Sequence, residues 1–217
     1  MQRGLIITCP RCDNATEYLT YYSKSIVEEA EKRSIKFKEI HNKVLDMTNF
    51  SEIVTTLDYQ MIVFNGHGSK DSIFGYKDNI IIQVGKNEDI IRERIIYARA
   101  CNAAVVLGVE CMKNTKNGCF IGYSIPFVFF MDESWISNPH NDNVAKLFLI
   151  PSNMIPLSLI KGNPTIEAHE NSKKQILKNI NRVLRDKDKE SFLVAEALWN
   201  NYIGQTIIGN NSAKLED

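Results

Sequence analysis

Two short apolar runs in the middle of the chain limit its folding choices more than any other feature of the sequence. The first, Met61-Ile62-Val63-Phe64, ends in Asn65-Gly66-His67-Gly68, and the second, Ile95-Ile96-Tyr97-Ala98, ends in Arg99-Ala100-Cys101-Asn102. Apolar, β-branched and aromatic runs this short, closed by Gly or a polar cluster, predict buried strands. A His then sits just past the end of one strand and a Cys just past the end of another. If the strands are parallel neighbours, both side chains emerge at the carboxyl edge of the sheet, where open α/β sheets build their sites.

A thiol and an imidazole converging there make a nucleophile and its base. The residues after the Cys, Asn102-Ala103-Ala104-Val105-Val106-Leu107, read as the start of a helix reaching about Lys113. A thiol at a helix N-terminus has its thiolate favoured by the dipole. Gly68 permits close approach of backbone to a substrate carbonyl, and its N–H with that of Cys101 would serve as oxyanion donors. Either residue alone is ordinarily structural, since Cys is among the most buried residue types. What points to chemistry is the pair, each member at a strand end and the His flanked by glycines.

The remaining chain reads as strands alternating with helices. Gly4-Leu5-Ile6-Ile7-Thr8 predicts a central strand, and Leu19, Tyr22, Ile26 and Ala30 recur on one face of a following helix. Ile35-Lys36-Phe37-Lys38-Glu39-Ile40 alternates like a strand near a sheet edge. A short helix over residues 49–57 leads into the strand before His67. Residues 72–84 suggest a small hairpin turning at Lys77-Asp78-Asn79. Cys119-Phe120-Ile121-Gly122-Tyr123 is a further strand. A helix from Val144 ends near Pro151, two more cover about 164–185 and 190–203, and residues 210–217 form a frayed tail. The pattern predicts an α/β fold with a mostly parallel sheet, residues 1–217 forming one domain with the 164–203 helices packed on it. Right-handed crossovers place the second strand on one side of the first, and the His and Cys strands on the other.

The apolar run followed by His67-Gly68, and the second apolar run followed by Ala100-Cys101, resemble the signature of the caspase-like (clan CD) cysteine peptidases. His precedes Cys by 34 positions (67 to 101), over a resemblance spanning roughly residues 4–135. With Gly118-Cys119-Phe120-Ile121-Gly122-Tyr123, the pattern is most similar to bacterial CHAT-type domains. The resemblance implies a three-layer caspase-like sandwich with helices on both faces of the sheet. It also implies a cysteine endopeptidase working through a His67–Cys101 dyad and a thioester acyl-enzyme, acting on a protein or peptide substrate without a cofactor. The family position two before the Cys and the loop after the first strand line the substrate pocket, which maps onto Arg99 and residues 11–13. Arg99 would favour an acidic or polar side chain; Asp13, or Asp132 after the later strand, would favour Lys or Arg. Asp71 lies near the His in sequence without a role. Activation by a regulatory partner or by homodimerisation is left open.

Composition removes other classes. Twenty-six basic and 26 acidic residues cancel, so nothing in the charge favours nucleic acid or an anionic membrane. No apolar stretch approaches the ~18 residues that span a bilayer. The N-terminus lacks a signal-peptide pattern, and five cysteines in a chain this large indicate free thiols in a reducing, cytoplasmic setting. Two alternatives stand beside the peptidase: a catalytically silent module on the same fold, and a thiol oxidoreductase using Cys9 and Cys12 of Cys9-Pro10-Arg11-Cys12. That pair alone is half a zinc site, so no metal is expected. His140 and His169 read as solvated, Cys111 and Cys119 as core.

Overall fold

The two apolar runs are adjacent parallel strands, with Met61 opposite Ile95 and the register continuing to Asn65 opposite Arg99. This computed structural model describes residues 1–187 and 189–216. Along the chain come β1 (Gln2–Cys9), α1 (Asn14–Lys32), β2 (Lys36–His41), α2 (Met47–Leu57), β3 (Tyr59–Asn65), β4 (Ser72–Phe74) and β5 (Ile80–Gln83). They are followed by β6 (Ile95–Arg99), α3 (Leu107–Cys111), β7 (Cys119–Tyr123), α4 (Asn143–Ile160), α5 (Thr165–Val183), α6 (Lys189–Gly204) and β8 (Gln205–Gly209). The main sheet runs β2-β1-β3-β6-β7-β8, parallel except for β8. β4 and β5 form a separate antiparallel hairpin.

The central strands are apolar along their middles because both their faces are covered. Ile62, Phe64 and Ile96 pack with Phe50 and Val54 of α2 and Leu107 of α3. Met61, Val63, Ile95 and Tyr97 face the other way, against Ile26 and Ala30 of α1 and Ile155 and Leu159 of α4. Each such side chain, removed wholly from water, contributes about 1.5–3 kcal/mol before entropy is counted. The result is a mixed α/β arrangement of three layers, as the family resemblance implies, with β1 inside and β2 at the edge. The chain leaves β1, β3 and β6 at one common rim, so the loops after these strands meet.

Several expectations are corrected. The helix after Cys101 begins only at Leu107; residues 101–106 are turns. α4 does not stop at Pro151 but continues through Pro156 to Ile160. Proline at 151 deprives the Leu147 carbonyl of its helical donor, and Asn179 of α5 supplies the missing bond through its Nδ2 at 2.7 Å. Read whole, α4 is long and apolar enough to cross a bilayer, yet 61% of it is buried inside this fold. Finally, the chain after α6 opens with a strand, and residues 210–216 are held rather than frayed; residue 217 of that expectation lies outside the described residues. β8 pairs with β7, and Ala213 and Leu215 are buried. The tail carbonyls of Asn211 and Ala213 accept the Ile166 and Thr165 N–H groups at 3.0 Å. These are orphan donors that Pro164, as N-cap, has no side-chain oxygen to satisfy.

His169 is also buried, its Nε2 3.2 Å from the Gln205 carbonyl, rather than solvated. Its helix face is covered by β8, which the sequence reading lacked.

Candidate active site

Gly66 turns the chain out of β3. Its φ of +153° favours glycine, and a Cβ there would lie 2.6 Å from the Phe74 carbonyl oxygen. The next residues are clamped to the hairpin: Phe74 N–H donates to the His67 carbonyl at 3.0 Å, and Ser69 N–H to the Ser72 carbonyl at 2.9 Å. These bonds straddle the Gly68–Ile73 bridge, so Gly68 occupies a non-hydrogen-bonded position and its own N–H points away from the hairpin. On that outer side lies the Cys loop. A Cβ on Gly68 would sit 2.8 Å from the Cys101 carbonyl oxygen and 3.2 Å from its nitrogen. The carbonyl of Lys70 accepts the N–H groups of Val106 and Leu107 at 3.0 and 2.8 Å. The two loops are therefore in direct contact and bonded to one another.

Cys101 is partly exposed. Asn102 after it takes a left-handed φ of +58°, an uncommon conformation that bends the chain sharply behind the thiol. Asn102 N–H and Ala104 N–H are held by the Ile125 and Tyr123 carbonyls at 3.3 and 3.1 Å. With α3 starting six residues after Cys101, no helix terminus lies at the sulfur, and the dipole argument for its activation does not apply here.

His67 and Cys101 line one cavity of about 180 Å³ whose other walls are Ala15, Thr16, Leu19, Gly66, Phe127 and Phe129, with Arg99. The aromatic wall comes from an extended segment after β7. Asn201 of α6 holds it from both sides, accepting from Val128 N–H at 3.0 Å and donating to the Val128 carbonyl at 2.5 Å. Phe127 is packed between Tyr123 and Phe129, at centroid distances of 4.6 and 5.9 Å.

Asp13 is the N-cap of α1, its Oδ1 accepting Thr16 N–H at 2.8 Å. Its Oδ2 lies 2.5 Å from Nε2 of His67. Partial burial by itself would raise this carboxyl; the Thr16 N–H, His67 and the Thr16 hydroxyl outweigh it and leave the pKa below the ordinary value. A carboxylate on Nε2 keeps the ring proton there and leaves Nδ1 as the basic nitrogen. The family resemblance placed Asp13 near the pocket; its partnership with the imidazole was not legible, though Asp-x-x-Thr ahead of a helix is a capping signal.

Arg99 is fully buried. Its Nε donates to Asn65 Oδ1 at 2.7 Å, Nη1 to Asn153 Oδ1 at 2.6 Å, and Nη2 to Ser23 Oγ at 2.8 Å and the Leu19 carbonyl at 3.4 Å. Among the described residues no carboxylate pairs with it. Asp132 is exposed and caps a short turn, accepting from Ser134 N–H and Oγ at 3.0 and 2.7 Å, which lowers its pKa. Neither Asp13 nor Asp132 lines the cavity. Asp71 likewise accepts the hydroxyls of Ser69 and Ser72 in the loop after His67.

The redox pair is not built. Cys9 is buried, and burial, then Glu39, pushes its pKa up to about 12, the reverse of an attacking thiol. Cys12 is exposed and its Sγ accepts Lys77 N–H at 3.0 Å.

No protein-family model and no curated protein matches the sequence. Solved structures do. The crystal structure of the Arg-specific cysteine proteinase gingipain R (RGPB) is similar with a TM-score of 0.56 at 13% identity, over 97% of this chain and 46% of that one. The complex of Porphyromonas gingivalis RgpB pro- and mature domains gives 0.54 at 11% identity, over 96% and 47%. This chain thus spans about half the length of those proteins. At identities this low the structural likeness shows the caspase-like fold alone and does not single out the CHAT-type members.

Proposed function

We propose that the chain is a cysteine endopeptidase with Cys101 as nucleophile and His67 as its base. The observation that supports this most is that the two side chains, from different strands, line one cavity with Gly68 seated against Cys101. Nδ1 of His67 takes the thiol proton as Sγ attacks the peptide carbonyl carbon. The oxygen's negative charge falls to the N–H groups of Gly68 and Cys101. Collapse of the tetrahedral adduct breaks the C–N bond, the imidazolium gives its proton to the leaving amine, and a thioester remains. Water, deprotonated by the same imidazole, releases the acid and restores the thiol. Asp13 acts through His67 as a positioning residue. The steps need no cofactor.

For the side chain before the cut, the cavity favours an acidic residue. Apart from Thr16, His67 and Arg99 its walls are apolar, no carboxylate lines it, and the buried guanidinium of Arg99 has no acidic partner among the described residues. A basic side chain, as the name of gingipain R indicates for that enzyme, would meet like charge here. The substrate is a protein or peptide, and the setting a reducing one such as the cytoplasm, where five free cysteines persist.

A peptide-like electrophile tests the dyad. Modification mapped to Cys101 and abolished in His67→Ala is the expected result; a folded protein unmodified at Cys101 would leave only a silent module. A peptide library varied before the cut is expected to be cleaved after Asp or Glu, and cleavage after Arg or Lys would overturn the assignment of Arg99.

A further inference from the structure

We propose that Cys9, Glu39 and His41 form a zinc-binding site at the carboxyl edge of β1 and β2, separate from the candidate dyad. Cys9 and His41 are register partners on these parallel strands, and Glu39, two residues before His41, shares its face. Cys9 Sγ is 3.7 Å from Glu39 Oε1, and His41 Nε2 is 3.8 Å from Glu39 Oε2. The three donor atoms all lie within 4.8 Å of one another. A tetrahedral zinc, with bonds of about 2.3 Å to sulfur and about 2.0 Å to nitrogen or oxygen, sets its ligands roughly 3.3–3.6 Å apart. Small side-chain rotations close that gap.

The donor set selects the metal. Thiolate, imidazole and carboxylate together suit zinc, whereas magnesium and calcium take oxygen ligands. Zn²⁺ with one thiolate and one carboxylate is electrically neutral, so the site can be partly buried without a stranded charge. Binding exchanges the Cys9 thiol proton, now offered to Glu39, for the metal, and the proton leaves to water. Cys9 is buried, Glu39 half-buried and His41 exposed, so the ion enters beside His41 and keeps a fourth position there for water. Among the described residues Glu39 and His41 side chains have no hydrogen-bonding or ionic partner beyond this trio, so nothing need be broken. Cys12, which the sequence paired with Cys9, is instead engaged at Lys77. An ion here fastens β1 to β2 four residues before Asp13.

The full chain, stripped with a chelator, is titrated with Co²⁺ as a spectroscopic probe. A near-ultraviolet thiolate-to-cobalt band saturating at one equivalent and displaced by Zn²⁺ is expected, persisting in Cys101→Ala and Cys12→Ser. His41→Ala and Glu39→Gln, both outside the core, should weaken binding by roughly 10- to 100-fold or more, at least the loss known for outer-shell partners. Zn²⁺ should raise the thermal midpoint of the unsubstituted protein and not that of His41→Ala. Absence of the band overturns the proposal, as does a band that survives His41→Ala and Glu39→Gln but vanishes in Cys101→Ala. Neither readout involves peptide cleavage, so an inactive dyad would leave the result unchanged.

Discussion

The carboxylate of Asp13 joins two structures at once: Oδ1 caps α1 through Thr16 N–H at 2.8 Å, and Oδ2 meets Nε2 of His67 at 2.5 Å. Replacement by Asn keeps a capping oxygen but removes the charge that orients the imidazole. Asp13→Asn is therefore expected to lower kcat by roughly 10- to 1000-fold with KM little changed, while the thermal midpoint moves by only a few degrees. A fall confined to KM would count against the positioning role. Because this carboxyl is depressed in the folded state, its contribution is present above the ordinary carboxylate value and disappears as pH falls below it.

Gly68→Ala probes the contact between the loops. The new methyl would lie 2.8 Å from both Ala100 Cβ and the Cys101 carbonyl oxygen, with backbone on one side unable to swing away. About 1–3 kcal/mol of stability should be lost to overpacking. Electrophile labelling at Cys101 should slow disproportionately, because the displaced atoms are those beside the thiol. Comparing the labelling rate with the urea midpoint separates the two effects.

Asp142 ties the segment after β7 to α1 and to the start of α4. Fully buried, it accepts Val144 N–H and Ala145 N–H at 2.9 Å on Oδ1, and Asp132 N–H and the Tyr18 hydroxyl at 2.7 and 3.0 Å on Oδ2. Asp142→Ala removes the shared acceptor of four donors and is expected to cost about 3–5 kcal/mol. Tyr18→Phe removes only one donor and should cost about 1 kcal/mol. Urea unfolding of both variants measures the difference; equal losses would mean that the carboxylate is not the hub.

Three thiols set an alkaline limit. Burial is the largest cause raising Cys9 and Cys111 to about 12 and Cys119 to about 11, with Glu39 adding to the effect at Cys9. Unfolded, each returns to the ordinary thiol value of 9.0. Folded pKa values above unfolded ones favour the native state fully below pH 9, and that advantage is lost as pH rises through 11–12. The urea midpoint should be flat between pH 7 and 9 and fall above it. Brief alkylation of the folded protein at pH 8 should mark Cys12 and Cys101 and spare the other three.

The strands were the legible part of the fold. Uninterrupted apolar runs such as residues 61–64 and 95–98 have one stable destination, the middle of a sheet covered on both faces. The elements misjudged are those stabilised by partners distant in sequence. α4 outlasts Pro151 because Asn179 takes the carbonyl that proline leaves unpaired. β8 exists because β7 would otherwise present an open edge, and the terminal segment is ordered because α5 needs its carbonyls.

At the site, local pattern alone indicated that a His-Gly and an Ala-Cys each end a buried strand, because periodicity and chain punctuation are short-range properties. The partners of those groups were settled only in three dimensions. Asp13 turned to the imidazole, Arg99 was enclosed by Asn65, Asn153 and Ser23, and Cys9 was drawn to Glu39 and His41 rather than Cys12. Hydrogen bonds and burial act between whatever atoms packing brings together, and that adjacency is set by the order of strands in the sheet, not by spacing along the chain.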